Sequence, residues 1–272
     1  GGGALGSSGG GGGGVGIFSS KNVQIDSGAK VTGGSGGQAA LQAGGGGGAA
    51  AVLLTGGGVL TNSGIINGGA GGRINTGLPT QSGAGGNGGE GVLLTNGGTV
   101  INNAGGSITG GTFGANGTAI ASFGVAPSVG GAGIAGSNVN VVNAGTISGG
   151  TTFGGGIVNA ITFTGGKNSL EIHSTSVING NVQAFSSDDK LILGGADNST
   201  FDVTNISATG KYQGFGAFEK TGTSTWTLNG TNAGLTPWTL SGGKLSIAAD
   251  GSLGDKAGDL TFNGGTLLTT DS

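Results

Sequence analysis

Short apolar runs separated by glycine recur along the first half of the chain. The run Val-Leu-Leu-Thr at residues 52–55 returns 40 residues later at 92–95, and each copy precedes two further short runs. The last run of each unit ends in Gly-Gly, at residues 63–69, 104–111 and 143–150. Such self-similarity indicates a repeat architecture, whose units bury their apolar faces only by stacking. We therefore predict an all-β fold, a right-handed parallel β-helix or solenoid with Gly-rich inserted loops.

In such a solenoid each strand pairs with the same strand of the next coil, about 4.8 Å away. Inward-facing Val, Ile and Leu side chains then form columns along the axis. Asn62, Asn103 and Asn143 lie near predicted corners, where asparagine side chains can stack as an amide ladder. Asparagine also tolerates the left-handed backbone conformation that a tight corner requires.

The second half of the chain is more regular and carries most of the charge. Strands are predicted at 161–163, 170–172, 177–178 and 190–193, and the run at 242–247 is echoed 22 residues later at 264–269. We divide the chain into residues 1–156, with long glycine inserts, and residues 157–272, with regular coils. Both are expected to belong to one solenoid.

Glycine-rich inserts interrupt equivalent points of the early coils at residues 35–50, 70–91 and 112–133. Because the inserts have similar lengths, we expect them to emerge on one side of the solenoid. Two interpretations remain open. The inserts are either flexible loops or extended polyproline-II-like strands that pack side by side, since glycine permits very close backbone approach.

Composition excludes several function classes. The 272 residues include 73 glycines, only 8% are charged, and the formal net charge is −3. Frequent glycine disfavours helices, because each glycine costs about 1 kcal/mol relative to alanine in a helix. The sequence has no basic stripe, which argues against nucleic acid as a partner, and no apolar run long enough for a transmembrane helix. Cysteine is absent, so a disulfide-stapled scaffold is excluded.

Several motifs of the second half are specific. Residues 160–170 contain Thr-Gly-Gly-Lys-Asn-Ser-Leu, and related strands follow at 177–182 and 188–195. Residues 218–230 and 236–254 each contain a Trp-Thr-Leu strand. Together these motifs resemble the coils and the autotransporter-associated β-strand repeats of bacterial autotransporter passenger domains.

The resemblance rests on specific motifs over residues 157–272. Over residues 1–156 it is looser and concerns only the general character of the sequence. It implies a β-helical fold and export through a C-terminal outer-membrane β-barrel of the same protein. It also implies location at the bacterial cell surface, or secretion after cleavage. Neither a signal peptide nor the alternating strands of such a barrel are recognisable in this sequence. We therefore expect the chain to be a fragment of a longer protein.

Few residues show a pattern typical of catalysis. His173 is the sole histidine, and strand alternation places it with Glu171 on the outer face of the solenoid. A solvated surface residue is expected there rather than the base of a catalytic triad. The G-x-S-x-G match at residues 33–37 lacks the strand–turn–helix context of a hydrolase. We predict no catalytic and no cofactor-binding residues.

Metal and ligand sites are equally sparse. One histidine and no cysteine exclude an ordinary zinc site. The carboxylates of the 188–202 region are interpreted as a solvated corner rather than a weak calcium site, and we predict no metal-binding residues. The residues in question are Asp188, Asp189, Asp197 and Asp202. Trp226 and Trp238 are interpreted as side chains that fill the coil, with a sugar-stacking platform as the alternative.

We therefore expect a non-catalytic cell-surface passenger without a cofactor, which forms a stiff stalk. Its long sides would bind host or neighbouring-cell surface molecules, with adhesion or aggregation as the output. One alternative is a polysaccharide- or protein-degrading passenger whose catalytic part lies outside this chain. Another is a free-standing glycine-rich structural or ice-binding solenoid.

Overall fold

A computed structural model describes residues 9–39, 43–74, 83–116 and 126–269. This part of the chain contains 25 short strands and two 3₁₀ turns, at Val203–Asn205 and Asp250–Leu253. Each strand pairs in parallel with the corresponding strand of the neighbouring coil. The predicted all-β, parallel β-helical fold is confirmed.

The strands, numbered along the chain, stack into four parallel sheets. The first sheet contains β1 (Ile17–Ser19), β4 (Val52–Leu54), β7 (Val92–Leu94), β10 (Ile134–Ser137), β13 (Ile161–Gly165), β16 (Val182–Gln183) and β19 (Tyr212–Gln213). The second contains β2 (Val23–Ile25), β5 (Val59–Asn62), β8 (Gly98–Asn102), β11 (Val139–Asn143), β14 (Ser169–Ile172), β17 (Lys190–Leu193), β20 (Ala217–Lys220), β22 (Trp238–Leu240) and β24 (Leu260–Phe262). The third contains β3 (Lys30–Thr32), β6 (Ile65–Asn67), β9 (Ser107–Thr109), β12 (Thr146–Ser148) and β15 (Val177–Asn179). The fourth contains β18 (Ser199–Asp202), β21 (Thr225–Asn229), β23 (Lys244–Ile247) and β25 (Thr266–Thr269).

The sides of the solenoid change along its axis. The third sheet ends at β15, and the fourth sheet starts with β18 in the next coil. The first sheet ends at β19, after which the segments 230–237 and 248–259 occupy the corresponding part of the coil. Only the second sheet, with nine strands, runs from the first described coil to the last. The strands predicted in the second half of the sequence coincide with β13, β14, β15, β17, β23 and β25.

Inward-facing side chains form columns of apolar residues, as the repeats predict. The column of the second sheet is in register from strand to strand and is buried in all but the first and last strands. It consists of Val23, Leu60, Val100, Val141, Leu170, Leu191, Phe218, Trp238 and Leu260. Burying one such side chain stabilises a fold by roughly 1.5–3 kcal/mol, so these columns supply the main cohesion between coils.

The predicted amide ladder exists, but one of its members differs from the prediction. Asn62 Nδ2 donates to Asn102 Oδ1 (2.8 Å), and Asn102 Nδ2 donates to Asn143 Oδ1 (2.8 Å). All three side chains are buried. The prediction of Asn103 was wrong, because successive side chains of a strand point to opposite faces. Asn103 instead donates to Ser63 Oγ (2.9 Å) beside the ladder.

No helix in these described residues is long and apolar enough to cross a membrane.

Candidate functional site

The glycine-rich inserts form a second structure beside the solenoid, which we call the glycine slab. Its outgoing legs, residues 33–39, 68–74 and 110–116, each follow a strand of the third sheet. Its return legs lead into strands of the first sheet and comprise residues 9–16, 43–51, 83–91 and 126–133. Parts of the predicted inserts, residues 40–42, 75–82 and 117–125, lie outside the described residues.

Hydrogen bonds join equivalent legs of successive coils at every third residue. This spacing is the three-residue period of a polyproline II helix, which makes no hydrogen bonds within itself. The bonds between the first two return legs run from Gly10 N–H to Gly44 O (3.0 Å), from Gly13 N–H to Gly47 O (2.9 Å) and from Gly16 N–H to Ala50 O (3.3 Å).

A second set of hydrogen bonds joins the outgoing and return legs. Gly46 N–H donates to Gly37 O (3.0 Å), and Gly72 N–H donates to Gly46 O (2.7 Å). Gly86 N–H donates in turn to Gly72 O (2.9 Å). The legs thus form two layers joined through backbone groups. The described legs follow the second interpretation, that of polyproline-II-like strands packed side by side.

Glycine is required where neighbouring legs of one layer meet, because their backbones approach too closely for a side chain. A Cβ atom added to Gly46 would lie 2.0 Å from Gly11 O, and one added to Gly72 would lie 1.9 Å from Gly37 O. At Gly47 the nearest atom would be Asn87 O, at 3.9 Å, which is ordinary van der Waals contact. In the middle of this leg, every third position therefore accepts a side chain.

The other residues of the legs occupy mainly these permissive positions, which gives local Gly-Gly-X triplets. Their side chains are exposed or half-buried on the outer surfaces of the slab. Examples are Ser35, Gln38, Arg73, Asn87, Glu90 and Thr112. The whole chain lacks the strict period of collagen, but the triplets within each insert were a recognisable signal for the slab, and the sequence analysis missed it.

No protein-family model matches the chain, and neither does any curated protein or solved structure.

The residues considered for catalysis lie apart. His173 Nε2 is 2.8 Å from Glu171 Oε1, and both side chains are on the outer face of the second sheet. Residues 33–37, with the G-x-S-x-G match, lie at the start of an outgoing leg, where Ser35 is exposed. The strand–turn–helix geometry of a nucleophile elbow does not occur there. The geometry therefore assembles no catalytic pair from these residues.

The aspartates of the 188–202 region have separate structural roles. Asp188 pairs with Lys167 (3.1 Å) at the surface. Asp189 is buried and accepts hydrogen bonds from the N–H and Nδ2 of Asn168 (both 2.9 Å). Asp202 accepts from Thr204 N–H (3.0 Å) at the start of a 3₁₀ turn. In the described ranges no group of three or more acidic, His or Cys residues could hold a metal ion.

Both tryptophans belong to the core, so the sugar-stacking interpretation was wrong. Trp226 is 2% exposed and Trp238 is 1% exposed, which leaves neither ring available for stacking. Trp226 Nε1 donates to Gly194 O (2.9 Å), and Trp238 packs against Phe218 with ring centroids 5.5 Å apart. Both side chains fill coils in which the fourth sheet has replaced the third.

A cavity of about 390 Å³ lies beside Trp238, where the first sheet has ended. Its wall includes Thr236 and Leu253, which are joined by a hydrogen bond from Thr236 Oγ1 to the carbonyl of Leu253 (2.5 Å). The indole N–H of Trp238 is buried and has no hydrogen-bond partner in the described structure. The aspartates that line the cavity, Asp250, Asp255 and Asp259, are exposed.

Lys220 is a buried cation that the sequence analysis missed. Its side chain is inward-facing, in the same column as the asparagine ladder, and is 0% exposed. Lys220 Nζ donates to the carbonyl of Thr221, which satisfies part of its hydrogen-bonding capacity. Burial lowers the pKa of Lys220, and the charge of Glu171 opposes this effect. The alternation of Phe218 with Lys220 along β20 was the available sequence signal.

Glu219 bonds to the preceding and the following coil on the outer face of the second sheet. Lys190 Nζ donates to Glu219 Oε2 (2.7 Å), and Ser241 Oγ donates to Glu219 Oε1 (2.5 Å). Burial alone raises the pKa of Glu219, but the hydrogen bonds from Lys190 and Ser241 and the charge of Lys190 outweigh burial. The pKa is therefore lowered below its ordinary value of 4.5.

We expect Glu219→Gln to weaken the dependence of stability on acid pH. A lowered pKa in the folded state stabilises the fold above the unfolded pKa, and this contribution disappears as pH falls through the folded pKa. Between about pH 6 and pH 3, which spans the pKa range of carboxylates, the melting temperature of the native chain should therefore fall further than that of the variant. Equal losses in both proteins would contradict the assignment. Glu90→Gln, in the glycine slab, is the control.

Proposed function

We propose that this chain is a non-catalytic passenger region of a bacterial autotransporter, which acts as a stiff surface stalk in adhesion or aggregation. The observation that carries the proposal is the second sheet, whose nine strands continue in one column from coil to coil. In a solenoid each coil contacts only its neighbours, so such a body is long and its binding area lies along its sides.

The buried polar groups support a structural role. The Asn62–Asn102–Asn143 ladder and the bonds between Asn168 and Asp189 all join one coil to the next. The glycine slab adds a second set of coil-to-coil hydrogen bonds along the same axis. These polar groups hold neighbouring coils together and thereby stiffen the stalk.

The motifs of residues 157–272 support the cellular part of the proposal. Their resemblance to autotransporter repeats favours export through an outer-membrane barrel belonging to the same protein. The partners would be surface molecules of host or neighbouring cells. Exposed serine, threonine and asparagine side chains along the slab and sheets suit many weak polar contacts with such partners.

Antibodies against the purified chain provide the test. We expect them to label intact cells of the bacterium that encodes the protein, and deletion of the gene to reduce aggregation or attachment of those cells. Labelling only after the cells are permeabilised would overturn the surface location. Thermal hysteresis of the purified chain, without surface labelling, would favour a free-standing ice-binding solenoid.

A further inference from the structure

The glycine slab ends in an open groove. In the coil after the last return leg (126–133), the chain turns away at Gly154 and Gly155, which have φ of 101° and 85°. Thr151 and Ile157 then form an antiparallel bridge in place of a further long leg. A groove of about 420 Å³ remains between this leg and the following segment. It is lined by Val129, Gly130, Ala132, Val158, Asn159 and Thr162.

The lining of the groove contains a backbone donor for which the described part of the chain supplies no acceptor. Four residues before their strands, Gly48 and Gly88 occupy equivalent positions and donate to the next return leg, at Asn87 O (2.8 Å) and Val129 O (2.9 Å). Gly130 is the next residue of this series and is buried, yet its N–H donates to no described residue. Buried backbone N–H groups are almost always paired, so this donor favours a hydrogen bond to a strand bound in the groove.

The walls of the groove are suited to a peptide backbone. Asn159 Nδ2 donates to Thr162 Oγ1 (3.3 Å), which leaves Asn159 Oδ1 able to accept a hydrogen bond. Val129 is 43% exposed, and Ile157, adjacent to the lining, is 52% exposed. An extended strand could therefore accept from Gly130 N–H, donate to Asn159 and cover apolar surface.

We propose that the groove binds an extended, glycine-rich polypeptide strand in a polyproline-II conformation, composed of Gly-Gly-X triplets. The groove continues the interface between neighbouring return legs of the slab. In that interface glycine occupies the positions where the backbones approach most closely. The position equivalent to Gly45, whose N–H donates to Ala84 O (2.9 Å), is Pro127, which has no N–H. The pairing therefore ends after a short segment, and the site accepts a strand of only a few residues.

The probe is the acetylated and amidated peptide Gly-Ala-Gly-Gly-Asn-Gly-Gly-Glu-Gly, the sequence of residues 83–91. We expect its titration into the native chain to shift the amide resonance of Gly130 in a saturable manner. A control peptide with alanine at its fourth and seventh positions should bind at least about tenfold more weakly, because added Cβ atoms prevent the close approach. No saturable shift of Gly130, or equal binding of both peptides, would overturn the proposal.

Three protein variants locate the site. Ala132→Trp fills the groove and should weaken peptide binding at least about tenfold, a loss of roughly 1.4 kcal/mol. Ala70→Trp places the same side chain at a half-buried position of the opposite layer and should leave binding unchanged. Asn159→Ala removes the proposed acceptor and serves as a second test if Ala132→Trp fails to fold. Native-like binding by folded Ala132→Trp, or by Asn159→Ala, would exclude the groove.

Discussion

Gly46→Ala should destabilise the glycine slab by about 3 kcal/mol, from overpacking and from the loss of hydrogen bonds. The added methyl group would lie 2.0 Å from Gly11 O and 2.6 Å from Gly11 C, which are backbone atoms that cannot rotate away. Displacement of Gly46 also weakens the hydrogen bonds that it makes with Gly37 and Gly72 in the other layer. Amide exchange of residues 43–51 is the measurement, because it reports the local stability of this leg.

Gly47→Ala is the matched control, one residue along the same leg. Its methyl group would meet only Asn87 O, at 3.9 Å. This variant should match or exceed the native stability by up to about 1 kcal/mol, since alanine reduces the freedom of the unfolded chain. Equal protection of residues 43–51 in the two variants would show that the legs do not pack as described.

Asn102→Asp should destabilise the solenoid by roughly 4 kcal/mol at neutral pH, because it places an unpaired charge in a buried hydrogen-bond network. Asn102 is 1% exposed. The change removes the donor that serves Asn143 Oδ1 (2.8 Å) and Thr146 O (3.2 Å), and directs a carboxylate oxygen at those acceptors. Denaturant unfolding measures the loss. It should shrink as pH falls towards about 4, because burial raises the pKa of the new carboxyl group, which is then protonated in the folded protein before it is protonated in the unfolded chain.

Asn140→Asp is the control for this change. Asn140 lies in β11, is exposed, and its Oδ1 accepts a hydrogen bond from Ser169 Oγ (2.8 Å), a role that aspartate retains. Its effect should be within about 0.5 kcal/mol, as for most surface substitutions. A small effect of Asn102→Asp, comparable with that of Asn140→Asp, would mean that the amide ladder contributes little to stability.

Much of the fold could be predicted from the sequence because its signals are local. Alternating apolar residues define short strands, and the repeated motifs define coils. The apolar column from Leu60 to Trp238 follows directly from this alternation. For the candidate site, the sequence allowed polyproline-II-like glycine strands as one of two interpretations, and the structure selected it.

Local sequence patterns do not determine which asparagine joins the ladder. Asn102 and Asn103 are neighbours of the same type near one predicted corner, and a shift of one residue exchanges the two faces of a strand. Pairing with Asn62 and Asn143 in the adjacent coils identifies Asn102 as the buried member. That selection depends on register between coils, which no single segment encodes.

The sequence by itself determined the all-β class, the repeating coils and the positions of most strands, because these depend on residue patterns within a few positions. The tertiary structure decided that both tryptophans are buried, that Lys220 is inward-facing and that the glycine legs form two layers. Each of these features depends on contacts between segments that are distant in sequence. The physical reason is that a column or a layer exists only when neighbouring coils meet in one register.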